Sequence, residues 1–315
     1  MFQHRPSLKS VDQLLQEFMS KDFNIMNAAK LSFTGIGDKD VYNISAPFED
    51  AGEFVIAGRV ESRDSEHSEV YFFVEKEGQW LPREDAPVLR LQDPFHTRIG
   101  QELIVGGVQT FPHPQKANKL MWRTVIYKGA DLANLNLFFV GPDGMKDLRL
   151  VELHDGGIGV FTRPQWRGKK GGRGKIGFFQ VSSWEELTMT AIVEAPLLDQ
   201  LFYDSEWGGA NEAHRLRGGK IGVLGHIARY DKRGRSYYPM VFTLDPQTGE
   251  RTDVELIAVR AHFVPGPSKR PDLEDVVFSG GLLRHEDGTA TLYAGTGDAE
   301  AQRITIDDPF IKYET

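Results

Sequence analysis

Beyond residue 40 the chain repeats one pattern five times, and no other feature restricts its fold so strongly. Each unit opens with a segment carrying a polar or acidic residue: VYNISAPF, RLQDPFHT, KDLRLVEL, ANEAHRL and LEDVVFSGG. A segment bearing glycine or small residues follows: FVIAGRVE, LIVGGVQT, GIGVFTRP, IGVLGHIA and LYAGTGD. A third segment closes the unit: VYFFVEK, MWRTVIYK, KIGFFQV, YYPMVFTL and AQRITI. With Asn43, Asp93, Asp147, Asn211 and Asp275 as markers, the spacings are 50, 54, 64 and 64 residues. Short runs of Val, Ile, Phe and Tyr between Gly, Pro and Asp turns read as antiparallel strands. Repetition at this period, with about four strands per unit, predicts an all-β fold, a five-bladed β-propeller forming one domain over 1–315.

Only the N-terminal stretch reads as helix. Leu8, Val11, Leu14, Leu15 and Phe18 recur at helical spacing, and Ser7 offers an N-cap. A helix over 7–20 is expected to pack on the outside of the propeller. No apolar run approaches a membrane span and the N-terminus lacks the apolar core of a signal peptide, so a soluble cytoplasmic protein is expected. The chain contains no cysteine, which removes disulfide staples and Cys-ligated zinc. No metal site is expected.

The stretch RPQWRGKKGGRGKIGF at 163–178 stands apart. It holds six basic residues and five glycines, in a chain whose 37 Lys+Arg against 45 Asp+Glu give a net charge of −8. Gly172, Gly174 and Gly177 match G-x-G-x-x-G, but a dinucleotide site needs a strand before the turn and a helix after it. Here a basic loop precedes and the strand-like FFQV follows. Nucleic acid is disfavoured too, since polyanion binding takes many neutralised phosphates and no aromatic platform can be assigned. A small anion at a defined spot fits better, with Arg163 at a strand end and the RGKKGGRGK tip either a solvated hairpin or an electrostatic guide.

In a propeller the first strand of each unit lines a central channel, so polar residues there converge from five directions. The motifs on the first and second segments of the units are YNISA at 42–46, GRVE at 58–61, LQDPF at 91–95 and MKDLRLVEL at 145–153. FTRP at 161–164, LGHIA at 224–228 and YAGTGD at 293–298 complete the set. Their order over residues 40–300 resembles glycoside hydrolase family 130, the β-mannoside phosphorylases. That family's pattern runs through an Asn–Ala strand, an Arg, E-D-P-R, K-D-x-x-L-F-P, R-P, Y-H-G and Y-G-A-A-D. The sequence departs from it where F-H-T replaces the Arg after the acidic motif, and where Leu224 replaces the Tyr before the blade-four His. The fuller wording AGRVESRDSE, EWGGANEAH and LEDVVFSGGL resembles the mannosyltransferase/phosphorylase proteins of glycosyltransferase family 108, over nearly the whole chain.

The resemblance implies an inverting enzyme that makes and phosphorolyses β-1,2-linked mannan. An inverting hydrolase needs an acid and a base about 6.5–9.5 Å apart, whereas phosphate is already an anionic nucleophile and needs a proton donor and a cationic cradle. The resemblance makes Asp93 the donor, and its place before Pro94 predicts an extended backbone there. Lys146, Arg163 and His226 form the implied cradle, with Arg123 and Tyr238 as further members, since Arg and Lys suit phosphate. Asn43, Ser45, Arg59 and Asp298 are the implied sugar clamp, with Asp275 and Glu212 also near the sugar. No cofactor is expected, inorganic phosphate being a substrate. The expected partners are an oligosaccharide and mannose 1-phosphate or a sugar nucleotide such as GDP-mannose. Two rival readings stay open: an inverting glycoside hydrolase with Asp275 or Glu212 as base, and a non-catalytic propeller that binds glycan or protein.

Overall fold

The computed structural model describes residues 6–21, 23–165 and 172–314. The fold is all-β apart from two short helices, α1 (Val11–Met19) and α2 (Met189–Glu194). After β1 (Ile25–Lys30) the strands fall into five groups in chain order, each antiparallel within itself, and a short parallel pairing of Ser236 and Tyr237 with Asp275 and Val276 joins the last two into one sheet. The first holds β2 (Asp40–Tyr42), β3 (Phe48–Asp50), β4 (Glu53–Glu61), β5 (Glu69–Lys76) and β6 (Gln79–Pro82). The second holds β7 (Gln92–Ile99), β8 (Glu102–Pro112), β9 (Leu120–Gly129) and β10 (Asn136–Val140). The third holds β11 (Arg149–Glu152), β12 (Ile158–Thr162) and β13 (Gly177–Val181). The fourth holds β14 (Trp207–Arg215), β15 (Ile221–Asp231), β16 (Gly234–Leu244) and β17 (Glu255–Leu256). The fifth holds β18 (Asp275–Arg284), β19 (Thr289–Thr296) and β20 (Glu300–Asp307).

All fifteen segments expected as strands contribute to these groups. The outer edge of the fifth is supplied from the other end of the chain, where β1 pairs antiparallel with β20. IMNAAK is too polar to announce that role. Successive groups touch in order, the first through its middle strand β4 and the others through their leading strands: β4 packs on β7, β7 on β11, β11 on β14 and β14 on β18, while β2 packs on β19 and β20. The middle strands of the groups are buried almost end to end, as in EFVIAGRVE and IGVLGHIARYD, because both faces meet neighbouring groups. Apolar clusters between the sheets, such as Val55, Phe72 and Leu103, provide the main burial.

The helix is shorter than 7–20 and its cap is Ser10, not Ser7. Ser10 Oγ accepts from the Gln13 amide at 3.3 Å while Gln13 Oε1 accepts from the Ser10 amide at 2.9 Å, a reciprocal capping box. Ser7 instead donates its backbone and side-chain hydrogens to Asp253. Val11, Leu14 and Phe18 face the core formed by groups three and four. The buried Glu206 carboxylate accepts the Val11 N–H at 2.7 Å, where the helix end carries positive charge. No helix among the described residues is long and apolar enough to cross a membrane.

Candidate active site

Three of the five marker residues share a conformation as well as a place in the repeat, and Asp298 of another motif adopts it too. Asn43, Asp93 and Asp147 have φ of 47°, 49° and 60°, and Asp298 has 51°. Asn and Asp tolerate this left-handed region best, and such strain collects at functional sites. Asp93 is therefore not extended, as its place before Pro94 predicts. It occupies a bulge of β7 between Gln92 and Phe95, which turns its carboxyl inward. Asn211 sits in a matching bulge of β14.

A cavity of about 260 Å³ opens where these residues meet, lined by Asn43, Arg59, Asp93, Lys146, His226 and Asp298 among others. Asp93 Oδ1 accepts from Asn43 Nδ2 at 2.8 Å and from Arg59 at 3.1 Å. Burial pushes this carboxyl up, but Arg59 and Lys146 outweigh burial and hold it below the usual carboxylate range. Asp298 goes the other way: burial and the nearby Asp93 charge raise it above the ordinary aspartate value despite Arg59. Arg59 is itself oriented from behind. Glu61, two residues along the same strand face, accepts from Arg59 at 2.8 Å, from Tyr42 at 2.7 Å, and from Ser68 and Lys269. Glu61 escaped the sequence reading, although the i, i+2 spacing in GRVE places it beside Arg59.

On the far side Arg163, 1 % exposed, donates to Asp147 Oδ2 at 2.8 Å and to the Gly208 carbonyl at 2.6 Å. Burial would raise the Asp147 carboxyl, yet Arg163 and Lys146 drive it far below its ordinary value. His226, equally buried, is pushed down to about 3 by burial and then by Arg163, so it is neutral. Gly209 lets these groups meet: a Cβ there would lie 2.6 Å from Asp147 Oδ2, 2.9 Å from Arg163 Cδ and 3.1 Å from His226 Cε1. Gly174, at φ +134°, lies flat against the Arg163 guanidinium, where a Cβ would approach Nε to 2.6 Å. The glycines of the basic stretch thus include one that seats a buried arginine, and Gly177 begins the strand β13. The half-buried Lys146 ammonium has no hydrogen bond among the described residues.

A second cavity of about 350 Å³ joins the first and shares Gln92, Lys146, Arg235 and Tyr237 with it. Its further lining includes Arg163, Arg173, Trp122, Trp207 and Tyr230. Trp207 and Tyr230 lie 4.9 Å apart between centroids, and Arg173 stands 5.8 and 5.5 Å from the two rings. None of these aromatics was singled out from the sequence, because they come from strand ends and occupy no position that the repeat shares.

The remaining expected residues lie elsewhere. Tyr238 donates to Asp275 at 2.5 Å on the opposite face of β16 and is pushed up to about 12, first by burial. The cavity tyrosine is its neighbour Tyr237, whose ring stacks on His226 at 5.2 Å. Arg123 bonds to Gln109 at 2.9 Å and lines neither cavity. Ser45 is buried in backbone bonds with Ala46 and Ala57. Glu212 accepts from the Leu282 amide at 2.7 Å and pairs with His214 at 2.9 Å. Asp275 and Glu212 line neither cavity. Lys169 and Lys170 lie outside the described residues; Arg173 is exposed at the outer cavity.

A family profile described as "Protein of unknown function (DUF1861)" matches residues 17–312. No curated protein matches the sequence significantly. Among solved structures, a mannose phosphorylase from Leishmania mexicana, in complex with phosphate ion, is 35% identical over 96% of this chain and 95% of its own, with TM-score 0.88. A GDP-Man-dependent mannosyltransferase from the same organism is 31% identical over 97% and 96% of the two chains, with TM-score 0.87. A β-1,2-mannobiose phosphorylase from Listeria innocua shares the fold at 13% identity, covering 93% and 92%, with TM-score 0.56.

Proposed function

This chain belongs to the DUF1861 family and to the family of the Leishmania mannosyltransferase and mannose phosphorylase, and we propose that it transfers mannosyl groups between β-1,2-mannan oligosaccharides and phosphate with inversion. Its glycosyltransferase/phosphorylase class follows from relatives that span nearly its whole length. The five strand groups, touching in order and joined by the contact of β2 with β19 and β20, support reading one domain with five propeller blades.

The observation that carries the function is the meeting of Lys146, Arg163 and His226 beside Asp93 in connected cavities. The inner cavity takes the mannosyl ring, whose hydroxyls bond to Asn43, Arg59 and Asp298. Phosphate lies against Lys146 and Arg163, where charge-assisted bonds hold it in line with the anomeric carbon. Asp93 donates a proton to the departing glycosidic oxygen. In the empty site Asp93 is held ionised by Arg59 and Lys146. A phosphate dianion offsets the Lys146 and Arg163 charges, which raises Asp93 and loads it with the proton it must give. Phosphate is then a substrate that also prepares the acid. A hydrolytic reading lacks support, because Asp275 and Glu212, its candidate bases, line neither cavity.

The outer cavity favours a second donor. Among the described residues four cations, Lys146, Arg163, Arg173 and Arg235, line it with no Asp or Glu, beside Trp122, Trp207, Tyr230 and Tyr237. Cations for a diphosphate and rings for a base suit a sugar nucleotide such as GDP-mannose. Incubation with β-1,2-mannobiose, with and without phosphate, tests the main reading. Mannose 1-phosphate formed only with phosphate is expected, and free mannose released equally well without phosphate would make the enzyme a hydrolase.

A further inference from the structure

We propose that Asn211 fixes His226 as a neutral imidazole whose Nε2 lone pair accepts the hydrogen of a bound phosphate, so that the site takes phosphate and refuses oxyanions that carry no proton, such as sulfate. The proposal rests on the phosphate reading above and adds the form of anion that is recognised.

The chain of assignments begins outside the ring. Asn211 Nδ2 lies 2.7 Å from the Ser279 carbonyl oxygen, which can only accept. The amide must therefore turn its NH₂ to Ser279 and its oxygen to His226, whose Nδ1 lies 2.7 Å from Asn211 Oδ1. That oxygen also only accepts, so the hydrogen is on Nδ1. Burial, together with Arg163 and Lys146, keeps a second proton off the ring. Nε2 is left with a lone pair, buried and without a hydrogen-bond partner among the described residues. The ring cannot turn to hide it, being stacked on Tyr237 at 5.2 Å and against Phe278 at 5.8 Å.

An unpartnered buried acceptor beside two cations sets two demands on a ligand. The cations want negative charge, and the lone pair wants a hydrogen. At neutral pH phosphate meets both, since its mono- and dianion each keep a P–OH. Arsenate does the same. Sulfate is as anionic but has no hydrogen, so one of its oxygens would face the Nε2 lone pair with nothing between them. Asn211 touches neither cavity and is thus a positioning residue, while His226 supplies the contact.

Calorimetric titration of the full chain with phosphate, arsenate and sulfate at pH 7.5 and matched ionic strength tests this without a variant. Phosphate and arsenate should bind alike, and sulfate at least ~100-fold more weakly, the order expected when a built hydrogen bond loses its partner. Sulfate within a few-fold of phosphate would overturn the proposal and leave the phosphate site standing. Failure of phosphate itself to bind would remove the underlying reading as well. Nitrogen-15 spectra of histidine-labelled protein read the tautomer directly: Nδ1 protonated and Nε2 bare supports the assignment, and the reverse overturns it. Asn211→Leu should narrow the phosphate-to-sulfate ratio by freeing the ring to present Nε2–H. An unchanged ratio in a folded variant would show that Asn211 does not set it.

Discussion

The two cavities share Gln92, Lys146, Arg235 and Tyr237, yet they are built from opposite materials. The inner one mixes cations with Asp93 and Asp298 and adds Asn43, a set that can both give and accept hydrogen bonds. The outer one carries cations and aromatic rings and, among the described residues, no carboxylate. Hydroxyl groups need donors and acceptors in alternation, whereas phosphate oxygens need donors and positive charge. On the proposed function, the contrast divides the substrate into an uncharged polyhydroxyl part inside and an anionic part outside, with Lys146 at the boundary where the bond would be exchanged.

The largest effect should come from the inner carboxyls. Asp93→Asn is expected to lower kcat by ~10²–10⁴ while the fold persists, because it removes the proton but keeps a group for Asn43 and Arg59. The pH profile assigns the donor. A donor must be protonated, so rate falls as pH rises through its pKa. Asp93 is depressed in the empty enzyme and raised when phosphate binds, so the alkaline limb of kcat should lie above that of kcat/KM. If that limb disappears in Asp298→Asn instead, the raised carboxyl Asp298 is the donor and Asp93 only orients the sugar.

Next in size is the buried pair behind the boundary. Arg163→Met leaves the buried Asp147 without its hydrogen-bonded cation and with Arg149 only at 3.9 Å, a loss of up to about 3–5 kcal/mol that thermal or denaturant unfolding would register. Asp147 is depressed in the fold, so its contribution is full above its ordinary unfolded pKa and lost as pH falls through the folded one. The variant should accordingly lose most stability at neutral pH and differ least in strong acid. Equal stability at pH 7 would mean that the pair contributes to binding alone.

The inner cavity was largely legible in the sequence and the outer one was not, for a physical reason. Inner residues stand on the repeated leading and middle strands, so Asn43, Arg59, Asp93 and Lys146 keep their place in every reading of the repeat. Their conformation was harder to foresee. Pro94 favours an extended Asp93, but the bulge and two hydrogen bonds impose φ of 49°. Strand parity misled at Tyr238, because one residue along β16 exchanges the cavity face for the core face. Trp122 belongs to the second group and Trp207 and Tyr230 to the fourth, and they share no spacing; only three-dimensional closure brings them together. The five groups were visible because turns punctuate them, while β1 was not, since its pairing with β20 joins distant segments of chain.

A smaller effect sharpens the outer half. Tyr230 is 57 % exposed, so Tyr230→Ala should leave the fold intact. Loss of a stacking ring is worth about 1–3 kcal/mol to a base, so GDP-mannose affinity should fall roughly 5–150-fold. Affinity for inorganic phosphate, which has nothing to stack, should not move. Parallel losses for both ligands would dissolve the division between a ring-binding and an anion-binding part of this cavity.

The smallest effect concerns charge at the rim. Arg173 is exposed and stands over Trp207 and Tyr230 without an acidic partner on the cavity wall. Replacing Arg173 with Ala, together with Lys169 and Lys170 of the same basic stretch, removes three positive charges, of which Arg173 lines the outer cavity. Exposed charges act over about a Debye length, ~8 Å at physiological salt and ~30 Å at 0.01 M. Weakening of phosphate and GDP-mannose capture should therefore be clear at low ionic strength and fade as salt is added, with association slowed more than dissociation is hastened. Measured at 0.01 M and 0.15 M salt, kcat should stay unchanged in both. A loss that persists at high salt would mean that Arg173 bonds the ligand directly; unchanged affinity at low salt would reduce the basic tip to a solvated loop.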